Sequence, residues 1–230
     1  MTPFLVKMDL CAPVILGRRL TLDALLASQI YERTGCVETA HETIPLERIG
    51  EIWTGSQAFV DGYVPSRMVT IIASLRADHD LTPDIICPSG RRKMYPSVEV
   101  KRGDYKNSLS IYRTHEAPCV WFSGRGDVDA VTELLNGVSG IGTKRSHGYG
   151  QVVRVHVRAV SGENQYAGLK LADGSPARPI PAAFWQDISS KRALISAERF
   201  KPPYWDGKSV LCAVPNPPPE EITQQLFFSR

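Results

Sequence analysis

The densest chemistry in the chain runs from Gly137 to Gly150, Gly-Val-Ser-Gly-Ile-Gly-Thr-Lys-Arg-Ser-His-Gly-Tyr-Gly. Glycines reach backbone conformations that other residues resist, and they let amide groups approach a bulky anion. Successive amides in such a loop form an anion-binding concavity. Lys144 and Arg145 add positive charge, Ser146 and His147 add hydrogen-bonding groups, and Tyr149 offers a ring on which a base can stack. This combination suits a phosphodiester backbone better than a lone small ligand. A nucleotide-binding P-loop is the nearest rival, because Gly137 and Gly142-Thr143-Lys144 approach its spacing. The last two residues are reversed, however, and a helix precedes the loop where a P-loop requires a strand. The plainer alternative is a glycine-rich connection between a helix and a strand, which rarely needs so many glycines around a Lys-Arg-Ser-His centre.

A second cationic stretch spans Pro83 to Arg113. Arg91, Arg92, Lys93, Lys101, Arg102, Lys106 and Arg113 crowd it, with Tyr95, Tyr105 and Tyr112 interleaved and only Asp84, Glu99 and Asp104 opposing. Such a stretch is often just a solvated face. Alternating cations and tyrosines favour contact with RNA. The expectation is a hairpin or extended insertion projecting from the core.

Other reactive residues point less clearly. His41, His79, His115, His147 and His156 are scattered. Metal-independent RNA cleavage typically needs a base and an acid, and histidine suits both roles. No histidine has an evident partner in sequence. His147 reads as a phosphate or base contact, and His41 and His79 as solvated. The five cysteines, 11, 36, 87, 119 and 212, contain no CxxC pair, which argues against structural zinc and against a disulfide framework. Arg125-Gly126-Asp127 sits where a helix start needs a turn and a cap. Trp53, Trp121 and Trp185 read as core, and Trp205 is less certain.

These residues need a scaffold. Phe4, Val6, Met8 and Leu10 alternate as a half-buried strand does. Leu22, Leu25, Leu26 and Ile30 recur at helical spacing, with Thr21 as N-cap and Gly35 as stop. Met68 to Leu75 reads as a strand, as does Ser108–Tyr112. Cys119–Ser123 is a short apolar strand, after which Gly124, Gly126 and Asp127 supply a turn and an N-cap. Val128, Val131, Leu134 and Leu135 give a second helix ending at Asn136–Gly137. The run VVRVHVRAV then alternates, with Val153, Val155, Val157 and Ala159 on one face and Arg154, His156 and Arg158 on the other. Farther on, Ala182–Asp187, Ser189–Ser196 and Ser209–Val214 carry short elements, and the prolines of 215–221 exclude regular structure.

The order strand, helix, strand, strand, helix, strand predicts an α+β, ferredoxin-like (RRM-like) core. Composition is that of a globular protein. A net charge of +3 and a pI near 8.6 do not by themselves indicate nucleic acid. MTPFLVKMDL lacks the apolar core of a signal peptide, and no stretch is long enough to span a membrane, so a cytoplasmic location is expected.

A helix ending in small residues, then Gly140-Ile141-Gly142, Lys144-Arg145, Ser146-His147 and Gly148-Tyr149-Gly150, then a β-branched strand, resembles the glycine-rich loop of the RAMP superfamily of CRISPR systems. Compact size, the proline-rich end and the LTLDALLA helix look most like the handle-capping, Cas-five-like subunit of type IV complexes. The resemblance implies an RNA-binding, non-catalytic subunit of an antiviral ribonucleoprotein that holds the 5′ handle of the CRISPR RNA. It implies contacts from Gly140, Gly142, Lys144, Arg145, Ser146, His147, Gly148, Tyr149 and Gly150; the insertion lies outside the resemblance, and contacts from Arg91, Arg92, Lys93, Lys101 and Arg102 are expected from its cation–tyrosine pattern. Its partners would be the CRISPR RNA, the backbone and large subunits, and target DNA through the complex, with no membrane, metal or nucleotide cofactor. The alternatives are a metal-independent endoribonuclease that processes precursor CRISPR RNA, and a generic RNA-binding module. The expected domains are a core at 1–160 with the basic insertion near 83–113, an extension at 161–214 and a tail at 215–230.

Overall fold

The structure is a computed structural model that describes residues 1–16, 19–60, 65–73, 106–162, 164–205 and 207–216. Arg91, Arg92, Lys93, Lys101 and Arg102 lie outside the described residues, as does His79. The chain divides into two compact units, one formed by Met1–Ser66 with His115–Arg230, the other by Arg67–Thr114.

The elements run in the order β1 (Thr2–Leu10), α1 (Leu22–Thr34), α2 (Val37–Glu42), β2 (Arg48–Ile49), β3 (Ile52–Trp53), β4 (Phe59–Val60), β5 (Ser66–Ala73), β6 (Ser108–His115), β7 (Cys119–Gly126), α3 (Val128–Leu135), β8 (Val152–Ala159), β9 (Ile180–Pro181), α4 (Ala182–Ile188), β10 (Leu194–Glu198) and β11 (Val210–Val214). The mixed α/β chain builds its sheets from antiparallel strands. The largest has the order β4-β7-β1-β8. Strands β1 and β8, both legible as alternating sequence, lie side by side in it.

Alternation explains the sheet's two faces. Phe4, Val6 and Met8 of β1 enter the main core with Val120 and Phe122 of β7, under Leu22, Leu25, Leu26 and Ile30 of α1 and Val131, Leu134 and Leu135 of α3. Full burial of such side chains contributes about 1.5–3 kcal/mol each, which fixes the register. Helix α1 stops at Gly35, whose φ of 66° lets its amide close on the Tyr31 carbonyl at 2.8 Å. Helix α3 starts at Asp127, whose Oδ1 accepts from the amides of Asp129 and Ala130, both at 3.1 Å.

Four sequence expectations need correction. Gly124 and Gly126 form no turn but lie within β7. A Cβ on Gly126 would fall 2.3 Å from the Pro45 carbonyl oxygen, so the glycine admits a crossing chain segment. The strand read from Met68, described as far as Ala73, is not one of the large sheet's four strands. That strand, β5, pairs with β6, and the fourth strand of the large sheet is the two-residue β4. Val153 does not share a face with Val155 and Val157. The register shifts at Asp9/Leu10, placing Val152 inward and leaving Val153 64% exposed. Thr21 stands at the N-cap position with no side-chain cap bond, because its hydroxyl donates to the Tyr204 hydroxyl at 3.1 Å.

The C-terminal part forms a second sheet, β10-β11-β9, over a small core of Ile52, Leu169, Ile180, Trp185 and Ala213. It is tied to α1 by Arg178, which is fully buried. The guanidinium donates to both Asp23 oxygens at 3.1 and 3.2 Å and to the carbonyls of Trp53, Gly55 and Phe200 at 2.6, 3.0 and 2.7 Å. The Tyr204 hydroxyl completes the cluster, 2.8 Å from Arg178 and donating to Asp23 at 2.6 Å. Burial pushes the Tyr204 hydroxyl well above its usual value. Burial alone would lower the Arg178 guanidinium, but the charges and hydrogen bonds of Asp23 and Tyr204 together outweigh it and raise it.

In the second unit, the Thr114 hydroxyl donates to the Arg67 carbonyl across the β5–β6 pair at 3.1 Å. Met68, Ile72, Leu109 and Ile111 are exposed on these strands.

Candidate nucleic-acid interface

The loop between α3 and β8 is built in two layers. Its inner layer is structural. Val138 and Ile141 are buried in the main core. The Ile141 amide donates to Gly150 and the Val152 amide to Ser139, at 2.8 and 2.9 Å, which closes the loop base. The loop also docks on the segment after β1. The Gly150 amide donates to Pro13 and the Thr143 amide to Ile15, at 2.8 and 2.9 Å. Two glycines allow this approach. A Cβ on Gly142 (φ 80°) would lie 2.3 Å from the Ile15 oxygen, and one on Gly150 (φ 65°) would lie 2.0 Å from the Ile141 oxygen.

The outer layer is a tip of different character. Lys144 takes a left-handed conformation, φ 61°, and introduces a single 3-10 turn over Arg145–His147 that ends at Gly148, φ 83°. Arg145, Ser146 and His147 are exposed. The His147 amide closes on Lys144 and the Gly148 amide on Arg145, at 2.9 and 3.0 Å. The Ser146 hydroxyl lies 3.2 Å from His147 Nδ1, and the Arg145 guanidinium donates to Gly140 at 3.4 Å. The amides of Ile141, Thr143, His147, Gly148 and Gly150 are thus spent on the protein's own carbonyls. Anion contact at this loop falls to side chains more than to the amide cradle that the glycines first suggest. Of the nine loop residues singled out from sequence, Arg145, Ser146, His147 and Gly148 are exposed at the tip, Gly142, Lys144 and Tyr149 are half-buried, and Gly140 and Gly150 are buried in the base.

The face of the large sheet away from α1 and α3 carries a second polar group. The strand registers set Trp121, Lys7 and His156 in one row across β7, β1 and β8. Ser123, Leu5 and Arg158 form the next row, and Cys119, Asp9 and Arg154 the row on the other side. Asp9 bridges Lys7 at 2.8 Å and His156 at 3.1 Å. The hydrogen bond from Lys7 holds the Asp9 carboxyl below its usual value, helped by His156. A depression of about 170 Å³ opens here, lined by Leu5, Lys7, Trp121, His156 and Arg158. Sequence alternation exposed the Arg154–His156–Arg158 face but missed Lys7, Asp9 and Trp121, since only strand pairing brings them alongside.

Elsewhere, His41 does not stand in solvent as expected. Its ring centroid lies 5.5 Å from that of Trp205, in an apolar groove of about 380 Å³ between α1, α2 and Pro202–Trp205. Trp53, Trp121 and Trp185 are buried, and Trp205 is 68% exposed. Among the described residues, no group of three or more His, Cys, Asp or Glu is placed to hold a metal ion, and no helix is long and apolar enough to cross a membrane.

With this geometry in view, comparison with protein families is decisive. Residues 2–216 match the model of the CRISPR type IV associated protein Csf3. The chain belongs to the Csf3 family. The match covers both described units and therefore both polar surfaces, the loop tip and the sheet face. No curated protein matches the chain. Membership in the Csf3 family makes this chain a type IV CRISPR-associated protein, and the expected CRISPR assignment stands at that level.

Proposed function

We propose that this member of the Csf3 family is an RNA-binding subunit of a type IV effector complex that holds the 5′ handle of the CRISPR RNA. The observation that carries the reading is the loop tip. Lys144, Arg145, Ser146 and His147 form a compact polar turn, carried on a base locked to the core by Gly142 and Gly150. Such a site presents cations to a phosphodiester with little ordering left to do on binding. The strand order β4-β7-β1-β8, with α1 and α3 on one face, supports a ferredoxin-like core of the RAMP type. In this reading, residues 1–160 carry the RNA site, 161–214 brace it, and the cations near 83–113 clamp the strand. Partners are the CRISPR RNA, backbone and large subunits, and target DNA reached through the complex.

The test is RNA affinity across a salt series for wild type and Lys144→Ala/Arg145→Ala. The double variant should bind roughly tenfold more weakly. Its log–log salt slope should fall by about one to two units, one for each phosphate that is no longer neutralised. Its thermal melt should move little, because Arg145 is exposed and Lys144 only partly covered, and cations so placed contribute little to stability. Unchanged affinity and slope would reduce the loop to a structural connection.

A second reading, a metal-independent ribonuclease, draws on one observation. His156 stands beside Asp9 and Lys7, the kind of pairing that sequence alone did not reveal. Incubation with repeat RNA in the absence of divalent metal separates the two: intact RNA keeps the binding reading, and site-specific cleavage lost in His156→Ala replaces it.

A further inference from the structure

We infer that the accessible β1–β8 side of the large sheet's second face, centred on Lys7, His156 and Arg158 beside the buried Leu5, Cys119 and Trp121, is a second contact for a single-stranded phosphodiester backbone, continuing the path that begins at the loop. This rests on the reading that the chain binds nucleic acid, but not on the loop being where it does so.

Position is the first argument. The loop runs through Gly150 and Gln151 directly into β8, and Arg154, His156 and Arg158 then occupy alternate positions of that strand. All three are exposed. Alternate residues of a strand repeat at about 7 Å, close to the step between successive phosphates of an extended single strand. A backbone leaving the loop along β8 meets a regular ladder of hydrogen-bond donors.

Charge is the second. Lys7, Arg154 and Arg158 face a single carboxylate, Asp9, which is held by Lys7 and His156. The row keeps an excess of positive charge whatever the state of His156. Nothing about folding requires this excess. The opposite face is filled with Phe4, Val6, Met8, Val155 and Val157, and polar residues of no net charge would serve an idle solvent face equally well.

The floor of the depression is the third. Trp121 is only 8% exposed, yet its indole Nε1 has no hydrogen-bond partner. A buried donor left unmade costs about 1–3 kcal/mol. Trp121 lines the same depression as Lys7, His156 and Arg158, with the Lys7 ammonium 5.8 Å from its ring. An acceptor-rich group settling among them, with a modest shift of the ring, would supply what the indole lacks. About 170 Å³ is too small for a drug-sized ligand and suits one phosphate of a strand.

The test is fluorescence-anisotropy titration with labelled oligouridylate and oligothymidylate across a salt series, using wild type, His156→Ala/Arg158→Ala, Asp9→Asn and the loop variant Lys144→Ala/Arg145→Ala. The sheet variant should weaken binding several-fold and lower the salt slope by about one unit. Asp9→Asn should tighten binding, since it removes the only negative charge of the row; a purely structural role for Asp9 would not produce that sign. Loss on both probes assigns the face to the shared backbone. Loss on oligouridylate alone assigns it to RNA, and on oligothymidylate alone to a DNA strand. If the sheet variant matches wild type in affinity and slope while the loop variant is weakened, the sheet-face contact is refuted and the loop reading survives. If the loop variant is unaffected while the sheet variant is weakened, the loop reading falls and the sheet contact stands. If neither variant differs from wild type, both readings fall.

Discussion

Arg178 and Arg145 are the same residue in opposite settings. Arg178 is wholly buried, and each of its two terminal nitrogens donates to several oxygens of Asp23, Tyr204 and three carbonyls. Arg145 lies exposed at the loop tip with one long bond to Gly140. A guanidinium whose terminal donors are consumed internally, within a fully buried side chain, organises the fold and is out of a ligand's reach. One that leaves its donors facing solvent adds little to stability and remains available to an anion. The charge matters less than how many of its hydrogen bonds the fold has already used.

The strongest way to sharpen that comparison is Arg178→Met. It leaves Asp23 buried without its counter-ion and removes the guanidinium donor from the carbonyls of Gly55 and Phe200, while the Trp53 carbonyl keeps the Gly55 amide. Breaking a buried pair from one side costs about 3–5 kcal/mol. For a chain of this size that corresponds to a drop in Tm of roughly 10 °C, read by thermal melts. Arg178→Met/Asp23→Leu should recover part of the loss, by removing the stranded carboxylate, but not all, since the carbonyls of Gly55 and Phe200 still lack the guanidinium donor. A melt for Arg178→Met within about 2 °C of wild type would mean that the staple is not what ties the C-terminal sheet to α1.

The next contrast lies within the loop, between two glycines of nearly equal φ. Gly142→Ala places a Cβ where the Ile15 oxygen stands at 2.3 Å, on top of a φ of 80°. Gly148 has φ 83° and nothing within 4 Å of its would-be Cβ. Gly148→Ala should therefore cost only the left-handed penalty, about 1–2 kcal/mol. Gly142→Ala should cost that plus the displacement of the loop base, at least about 2–4 kcal/mol in all. Urea midpoints of the two variants measure the difference. Equal midpoints would show that the loop base is not the rigid layer described.

How far the sequence revealed all this follows from range. Strand β1, helix α1, helix α3 and strand β8 each carry their own periodicity, and their caps, Gly35 and Asp127, are local chemistry. They were legible. Strand β4 was not, because two residues hold no period, and the longer alternation at β5 drew attention to a pair of strands outside the large sheet. The Val153 error came from a one-residue register shift, visible only from the partner strand. The loop tip was legible because its residues are consecutive. The Arg178 staple joins positions separated by 155 residues, and the sheet-face row joins Lys7 to Trp121 and His156. Neither leaves a local mark, and only the finished pairing reveals them.

The smallest expected effect belongs to the sheet face and completes the contrast between buried and exposed charge. The Lys7 hydrogen bond, with His156 behind it, depresses the Asp9 carboxyl in the folded protein. A carboxyl whose folded value lies below its unfolded one, about 3.9, contributes stability that is fully present above that value. The contribution is lost as pH falls through the folded value, because below it both states bind the proton. Asp9 is only partly covered, with side-chain exposure of 32%, so solvent screening keeps the contribution near that of a surface pair, about 0.2–1 kcal/mol. Urea midpoints for wild type and Asp9→Asn should therefore differ slightly near neutral pH and converge, apart from a constant offset, once pH falls below the folded value of Asp9. Repeating the comparison on a His156→Ala background makes the convergence report Asp9 without its imidazole partner. A difference between the two proteins that is the same at neutral and acid pH would mean that the Asp9 charge adds nothing to the fold, leaving its effect on nucleic-acid binding as the only role to test.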